Sequence, residues 1–288
     1  MADTNPQQGP EREEPEYELM AIRYATSAGR RLRNNFLNSH DLHDGPMPMD
    51  FYVWAAVAGE RIVLIDGGCD RAMCERRGYE FLRCPAETLA GLGLDPGRVT
   101  DVVVTHMHWD HLGNLDKFPN ARLCLHKSEI AHATGCAMCH PALRRPYDVE
   151  QVCGVVRALY GGRVAFNHGE CAVAPGIGVH HVGGHTPGLQ VVRVRTRRGY
   201  VVLASDAMHF YANAMLGNPF PVVVDVRDYL DAFAKIAALA DTPGHIVAGH
   251  DPVVMEIYPP WPGAEGAAVR LDATPSRAPA SVLPGPGQ

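Results

Sequence analysis

Between positions 106 and 111 the chain reads His106-Met107-His108-Trp109-Asp110-His111, four metal-ligand side chains within six residues. Alternate side chains of an extended segment share a side, so His106 and His108 can point together as the chain leaves a strand. Asp110 and His111 follow as it turns. Imidazole nitrogens and a carboxylate at this density suit a divalent metal. Three more ligand types stand in comparable settings: His185 within Gly183-Gly184-His185-Thr186-Pro187-Gly188, and Asp206 and His250, each just after an apolar run. Small residues beside them permit close approach of backbone.

The elements that must position these side chains are legible as short strands. Residues 100–105, 179–182, 200–204 and 245–248 are apolar runs of strand type, and the seven candidate ligands follow their exit ends. Residues 51–58 and 61–66 read as a hairpin turning at Gly59-Glu60, and 122–126 and 189–194 as further strands. Helical patterns cover 86–94, a stretch opening near Ser128, 149–160 and 228–240. In the last of these, Leu230, Phe233, Ala234 and Ala237 fall on one face. Strands alternating with helices imply a sheet with packed helices, whose ligands gather where strands run into loops.

The whole chain has 288 residues, 46% hydrophobic and 20% charged, as expected of a globular protein with a substantial core. A formal charge of -6 argues against a nucleic-acid partner. No basic amphipathic stripe or long apolar run points to a membrane. Residues 1–17 are polar, acidic and lack the pattern of an export signal, so a cytoplasmic protein with eight reduced cysteines is expected. These residues read as a disordered leader, 18–258 as one domain, and 259–288 as a Pro/Ala-rich tail dispensable for the fold.

Other residues have plainer readings. A lone histidine such as His126 or His245 is more often a surface or satisfied core residue than a ligand, and His180-His181 suits a half-buried strand. Cys136-Ala137-Met138-Cys139-His140 has the spacing of c-type haem attachment, but that chemistry needs export, so a structural cysteine pair is favoured. Cys69, Cys74 and Cys84 read as structural. Trp54 and Trp109 suit either core or a pocket wall, and residues 135–147 suit a pocket-lining segment. Asp66, in Leu64-Ile65-Asp66-Gly67-Gly68, is a turn residue or a partner to a metal-bound histidine.

The HxHxDH cluster, the GGHTPG loop, Asp206 and Ala248-Gly249-His250-Asp251 together resemble the metallo-β-lactamase-fold hydrolases, over about residues 52–251. The resemblance implies an α/β protein with an αββα sandwich and two metal ions at one edge of the sheets. Carried over by position, His106, His108 and His185 would hold one ion, Asp110, His111 and His250 the other, and Asp206 would bridge them. Zinc is the default, although ligation by nitrogen and oxygen also suits Mn, Co or Fe.

Within that superfamily the chain is most similar to the N-acyl homoserine lactonase group, which implies a small-molecule lactone substrate and makes a homodimer reasonable. The ring would be opened by hydroxide, made available at neutral pH by a metal-lowered water pKa of ~7. Asp110 would deliver a proton to the leaving alkoxide. Where the lactonases carry a tyrosine three residues after the bridging aspartate, this chain has His209, with Tyr211 nearby. Either could polarise the substrate carbonyl. The alternatives are a thioester or ester hydrolase of the glyoxalase II type on the same metal site, and a metal-holding sensor without turnover.

Overall fold

The computed structural model describes residues 14–40 and 43–278. Its strands are β1 (Glu18–Ser27), β2 (Met49–Ala58), β3 (Arg61–Ile65), β4 (Glu80–Phe81), β5 (Val99–Val103), β6 (Arg122–His126), β7 (Val164–Asn167), β8 (Cys171–Ala174), β9 (Ile177–His181), β10 (Gln190–Thr196), β11 (Gly199–Leu203), β12 (Ile246–Val247) and β13 (Ala268–Arg270). One sheet runs β13-β1-β2-β3-β5-β6-β7, with β4 paired to β1, and the second runs β12-β11-β10-β9-β8.

The hairpin expected at Gly59 forms, β2 pairing antiparallel with β3 and Gly59 taking the positive φ of +57° that the turn requires. In β2, Phe51, Val53 and Ala55 pack on one side and Tyr52, Trp54 and Ala56 on the other. All six are buried, the mark of a strand covered on both faces. Each fully buried large apolar side chain of this kind contributes roughly 1.5–3 kcal/mol.

Helices Arg71–Arg77, Pro85–Gly91 and Val149–Tyr160 cover one face of the first sheet through Met73, Leu89 and Val155. The two sheets share a core that includes Trp54, Val63, Val179 and Leu203, and helix Val226–Leu239 adds Ala232 and Ile236 to it. The result is the expected helix–sheet–sheet–helix sandwich.

Three expectations change. Helix Val226–Leu239 buries Tyr229, Ala232 and Ile236, whereas Leu230 is 39% exposed and Ala234 and Ala237 are exposed. The face is rotated by one residue because the helix turns Tyr229 towards the site. The leader read as 1–17 lies mostly outside the described residues, yet Tyr17 is buried and its hydroxyl donates to Pro175 O at 2.9 Å. The tail read as 259–288 supplies β13, antiparallel to β1, with Val269 and Leu271 buried. Its Pro and Ala content concealed a short edge strand, so this stretch packs as part of the domain. Positions 279–288 lie outside the described residues.

Strand direction explains why the ligands meet. β3 and β5 are parallel, as are β11 and β12, so Asp66 and His106 leave one sheet at the same end, and Asp206 and His250 leave the other together. β9 is antiparallel to β10, and β10 to β11. His185, after β9, therefore emerges at the end where β11 delivers Asp206.

Candidate metal centre

The loop after β5 carries His106, His108, Asp110 and His111, all buried. The backbone N–H groups of the metal loops are tied down by a carboxylate that sequence reasoning did not single out. Glu129 is fully buried and accepts from Met107 N and Gly188 N, each at 2.8 Å, fastening the histidine loop to the GGHTPG loop. A lone glutamate in a short helix has no sequence signal for this role. Gly184, at φ +87°, passes so near helix Val226–Leu239 that a Cβ would lie 2.4 Å from Tyr229 Cα, so only glycine fits.

Asp206 sits in the turn after β11, behind Ser205, a non-glycine residue at φ +45°. Such a conformation stores strain and is found most often at functional sites. Its two oxygens face different partners. Oδ2 lies 3.0 Å from His185 Nε2 and 3.6 Å from His106 Nε2. Oδ1 lies 3.0 Å from His250 Nε2 and 3.1 Å from His111 Nε2. His106, His108, His185 and Asp206 bring ligand atoms within 4.8 Å of one another, and so do Asp110, His111 and His250. The seven sequence candidates are thus brought together as two adjoining sets with Asp206 between them.

The donor chemistry fits metal. His106 Nε2 and His111 Nε2 are buried without a hydrogen-bond partner among the described residues, which is costly for a polar atom. His108 turns Nδ1 to the cluster, 2.9 Å from His185 Nε2, two ring nitrogens converging on one point. The remaining ring nitrogens are anchored from behind. His185 Nδ1 meets Val222 O at 2.6 Å, His250 Nδ1 meets Asp50 O at 2.8 Å, and His111 Nδ1 meets Asp66 Oδ2 at 2.7 Å. Such contacts set the tautomer and aim Nε2 inward. Asp66, itself at φ +62°, also accepts from Thr105 N and Oγ1, so it is a partner to a ligand histidine and more than a turn residue.

Burial pushes the imidazoles of His106 and His108 well below their usual range, keeping them neutral, the state that binds a metal. Burial also opposes charge on His111, but Asp206, Asp110 and Asp66 outweigh it and raise that ring. For Asp110 burial works upward, and His111 and His250 overcome it to hold the carboxyl below the ordinary range.

His209 and Tyr211 have different fates. His209 is buried beside the cluster, its Nε2 3.0 Å from Asp206 Oδ2, its Nδ1 3.1 Å from the Tyr229 hydroxyl, and its ring stacked on Phe220. Burial lowers its pKa to about 3. Tyr211 is not brought to the site. It begins helix Tyr211–Met215 and joins the core between the sheets, where its hydroxyl donates to Ile246 O at 3.2 Å.

The cluster opens into a cleft of about 850 Å³ lined by His108, Asp110, His185, Asp206, His209 and His250, with Trp109 and Tyr147 in its wall. Of the segment 135–147, Ala142, Leu143, Arg145, Pro146 and Tyr147 line it, whereas Cys136 and Cys139 are exposed. Trp54 is core. His126 stacks on His181, away from the cleft lining.

The model of the Metallo-beta-lactamase superfamily matches residues 51–250. An N-acyl homoserine lactonase AttM of Azorhizobium caulinodans is 27% identical over 267 residues, covering 81% of this chain and 93% of that protein. A structure of an N-acyl homoserine lactone hydrolase with N-hexanoyl-L-homoserine at its catalytic metal centre is similar at a TM-score of 0.67 and 18% identity, over 85% of this chain and 96% of the other. AidC, described as a dizinc quorum-quenching lactonase, is similar at a TM-score of 0.63 and 19% identity, over 87% and 90% of the two chains.

Proposed function

The chain belongs to the metallo-β-lactamase superfamily, and from that premise we propose that it is a dinuclear metal-dependent hydrolase that opens a lactone ring. The observation that carries this reading is Asp206, whose two oxygens face two separate histidine sets at the floor of a cleft large enough for a small organic ester. The names of its relatives, N-acyl homoserine lactonases, support the reaction class.

His106, His108 and His185 would hold one ion, Asp110, His111 and His250 the second, and Asp206 both, with zinc the default. A bound pair of divalent ions supplies Lewis acidity and lowers the pKa of water. Asp110 lines the cleft and is ionised at neutral pH, so its carboxylate can take a proton from the attacking water and return it to the ring oxygen as that leaves. His209 is neutral. With the Tyr229 hydroxyl donating to Nδ1, the single Nε2–H points at Asp206 Oδ2 at the cleft floor, and a substrate carbonyl that shared this proton would be polarised by it. Glu129 and Gly184 act indirectly, Glu129 by holding the two loops together and Gly184 by letting its loop pack against helix Val226–Leu239.

A cytoplasmic homodimer is proposed alongside this reading, with a mass that light scattering would check. No helix of the described residues is long and apolar enough to cross a membrane. If its lactones include acyl homoserine lactones, the biological effect is quorum quenching. Hydrolysis should be measured for the metal-loaded protein on acyl homoserine lactones, γ-butyrolactones, aromatic lactones and a glutathione thioester, with His108→Ala as control. Ring opening of one lactone class, absent in the control, is the expected result. Hydrolysis of the thioester alone would replace the lactonase with a thioesterase.

A further inference from the structure

The cleft wall carries five arginines, Arg30, Arg33, Arg76, Arg77 and Arg145, drawn from three separate stretches of chain. Among the described residues the only acids lining the same cleft are Asp110 and Asp206, which belong to the metal site. A chain of net charge -6 has therefore gathered cations around this cleft.

Their partners separate scaffold from function. Arg77 is committed to structure, donating to Arg145 O at 2.6 Å and Tyr147 O at 3.2 Å, with its guanidinium over the Trp109 ring. Arg33 shares Asp44 with Arg31, and Arg76 stands 3.8 Å from Asp148. Arg145 is exposed, and its guanidinium has no partner among the described residues. Arg30 is half-buried over the Phe220 ring, its hydrogen-bond partners are the neutral groups Asn35 Oδ1, Asn34 O and Tyr79, and Asp110 of the metal site acts on it electrostatically without a direct ion pair. A cation held partly out of water with no carboxylate in direct contact carries a desolvation cost that a bound anion would offset. Guanidinium forks also match the planar oxygens of carboxylate and phosphate.

We propose that the substrate is a lactone bearing an anionic group, carboxylate or phosphate, away from the scissile ester, and that Arg30 and Arg145 select for that charge. The inference rests on the lactonase reading and sharpens it: the preferred lactones are charged before the ring opens. Low-dielectric walls around a positive cleft also raise the local concentration of such a substrate.

The test uses the full-length zinc-loaded protein and three matched aryl γ-lactones, bearing a carboxylate, a phosphate or a neutral carboxamide at the same position. Calorimetric binding of the corresponding cyclic ethers, which cannot be hydrolysed, is measured in parallel. The expected result is a KM for at least one anion about tenfold or more below that of the amide, with similar kcat and a matching order among the ethers. Arg145→Gln, on the surface and so not needed for folding, should raise the KM of the anion about five- to tenfold and leave the amide unchanged. Arg30→Gln should do the same. Equal KM and equal ether binding for acid and amide would overturn the proposal, as would an Arg145→Gln effect on both compounds alike. If no lactone is hydrolysed while the anionic ether still binds in preference to its amide, the charge selection stands and the lactonase reading falls.

Discussion

Five imidazoles lie within 3.6 Å of the Asp206 carboxylate, and much of their aim comes from atoms one layer behind them. Asp66 is the sharpest case, because a single carboxylate holds His111 and the backbone of Thr105. Asp66→Asn should keep the fold and lower metal affinity about 10–100-fold, read by competitive metal titration. His209 is argued to act on substrate. His209→Phe preserves the stack on Phe220 and removes the donor, so kcat should fall about 10²–10³-fold with both metals retained. Unchanged kcat with full metal content would remove His209 from the mechanism. All seven ligand candidates were legible at this scale, since dense ligand types after apolar runs are a local property. Tyr211 was misread because two residues of separation from His209 put it at the start of a helix facing the core.

At the scale of elements, the site depends on loops held at fixed spacing between rigid strands. Gly184 is the tightest point, passing beside Tyr229 with a positive φ. Gly184→Ala should cost about 1–3 kcal/mol through forced displacement of helix Val226–Leu239. Because that helix presents Tyr229 to His209, the variant should also lose activity beyond what its melting temperature explains. The face of this helix was predicted one residue out of phase. Its apolar residues, among them Leu230, Phe233, Ala234 and Ile236, allow two stripes of similar strength, and only the contact with the site decides between them. β1, β7 and β8 went unread because a strand's partner is not encoded in its own residues.

For the whole molecule, the metal centre lies where the two sheets meet, beside apolar contacts and a few buried hydrogen bonds such as Gln190 Nε2 to Val104 O, so metal should stabilise the domain as well as activate it. Removing the ions with a chelator should lower the melting temperature by about 5–10 °C for each ion, from ~2.7 kcal/mol of binding per site at a hundredfold excess over Kd. A chelator that abolished activity with no shift in melting would mean the ions do not bind at this junction. The chain beyond position 258 contributes too. Deleting it removes buried Val269 and Leu271 and bares the edge of β1, so a loss of roughly 3–6 kcal/mol and a tendency to aggregate are expected in urea denaturation and light scattering.

The residues alone determined the seven ligand candidates, the strands that precede them and the alternation of strand with helix, because spacing, periodicity and turn chemistry are written locally along the chain. The αββα sandwich came from the resemblance to the metallo-β-lactamase-fold hydrolases. Tertiary structure decided which oxygen of Asp206 faces which histidines, that Glu129 joins the two loops, that the tail closes a sheet, and that five arginines from distant stretches share one cleft. Each of these is a distance between segments far apart in sequence, set by strand direction and packing, and no window along the chain contains both ends of it.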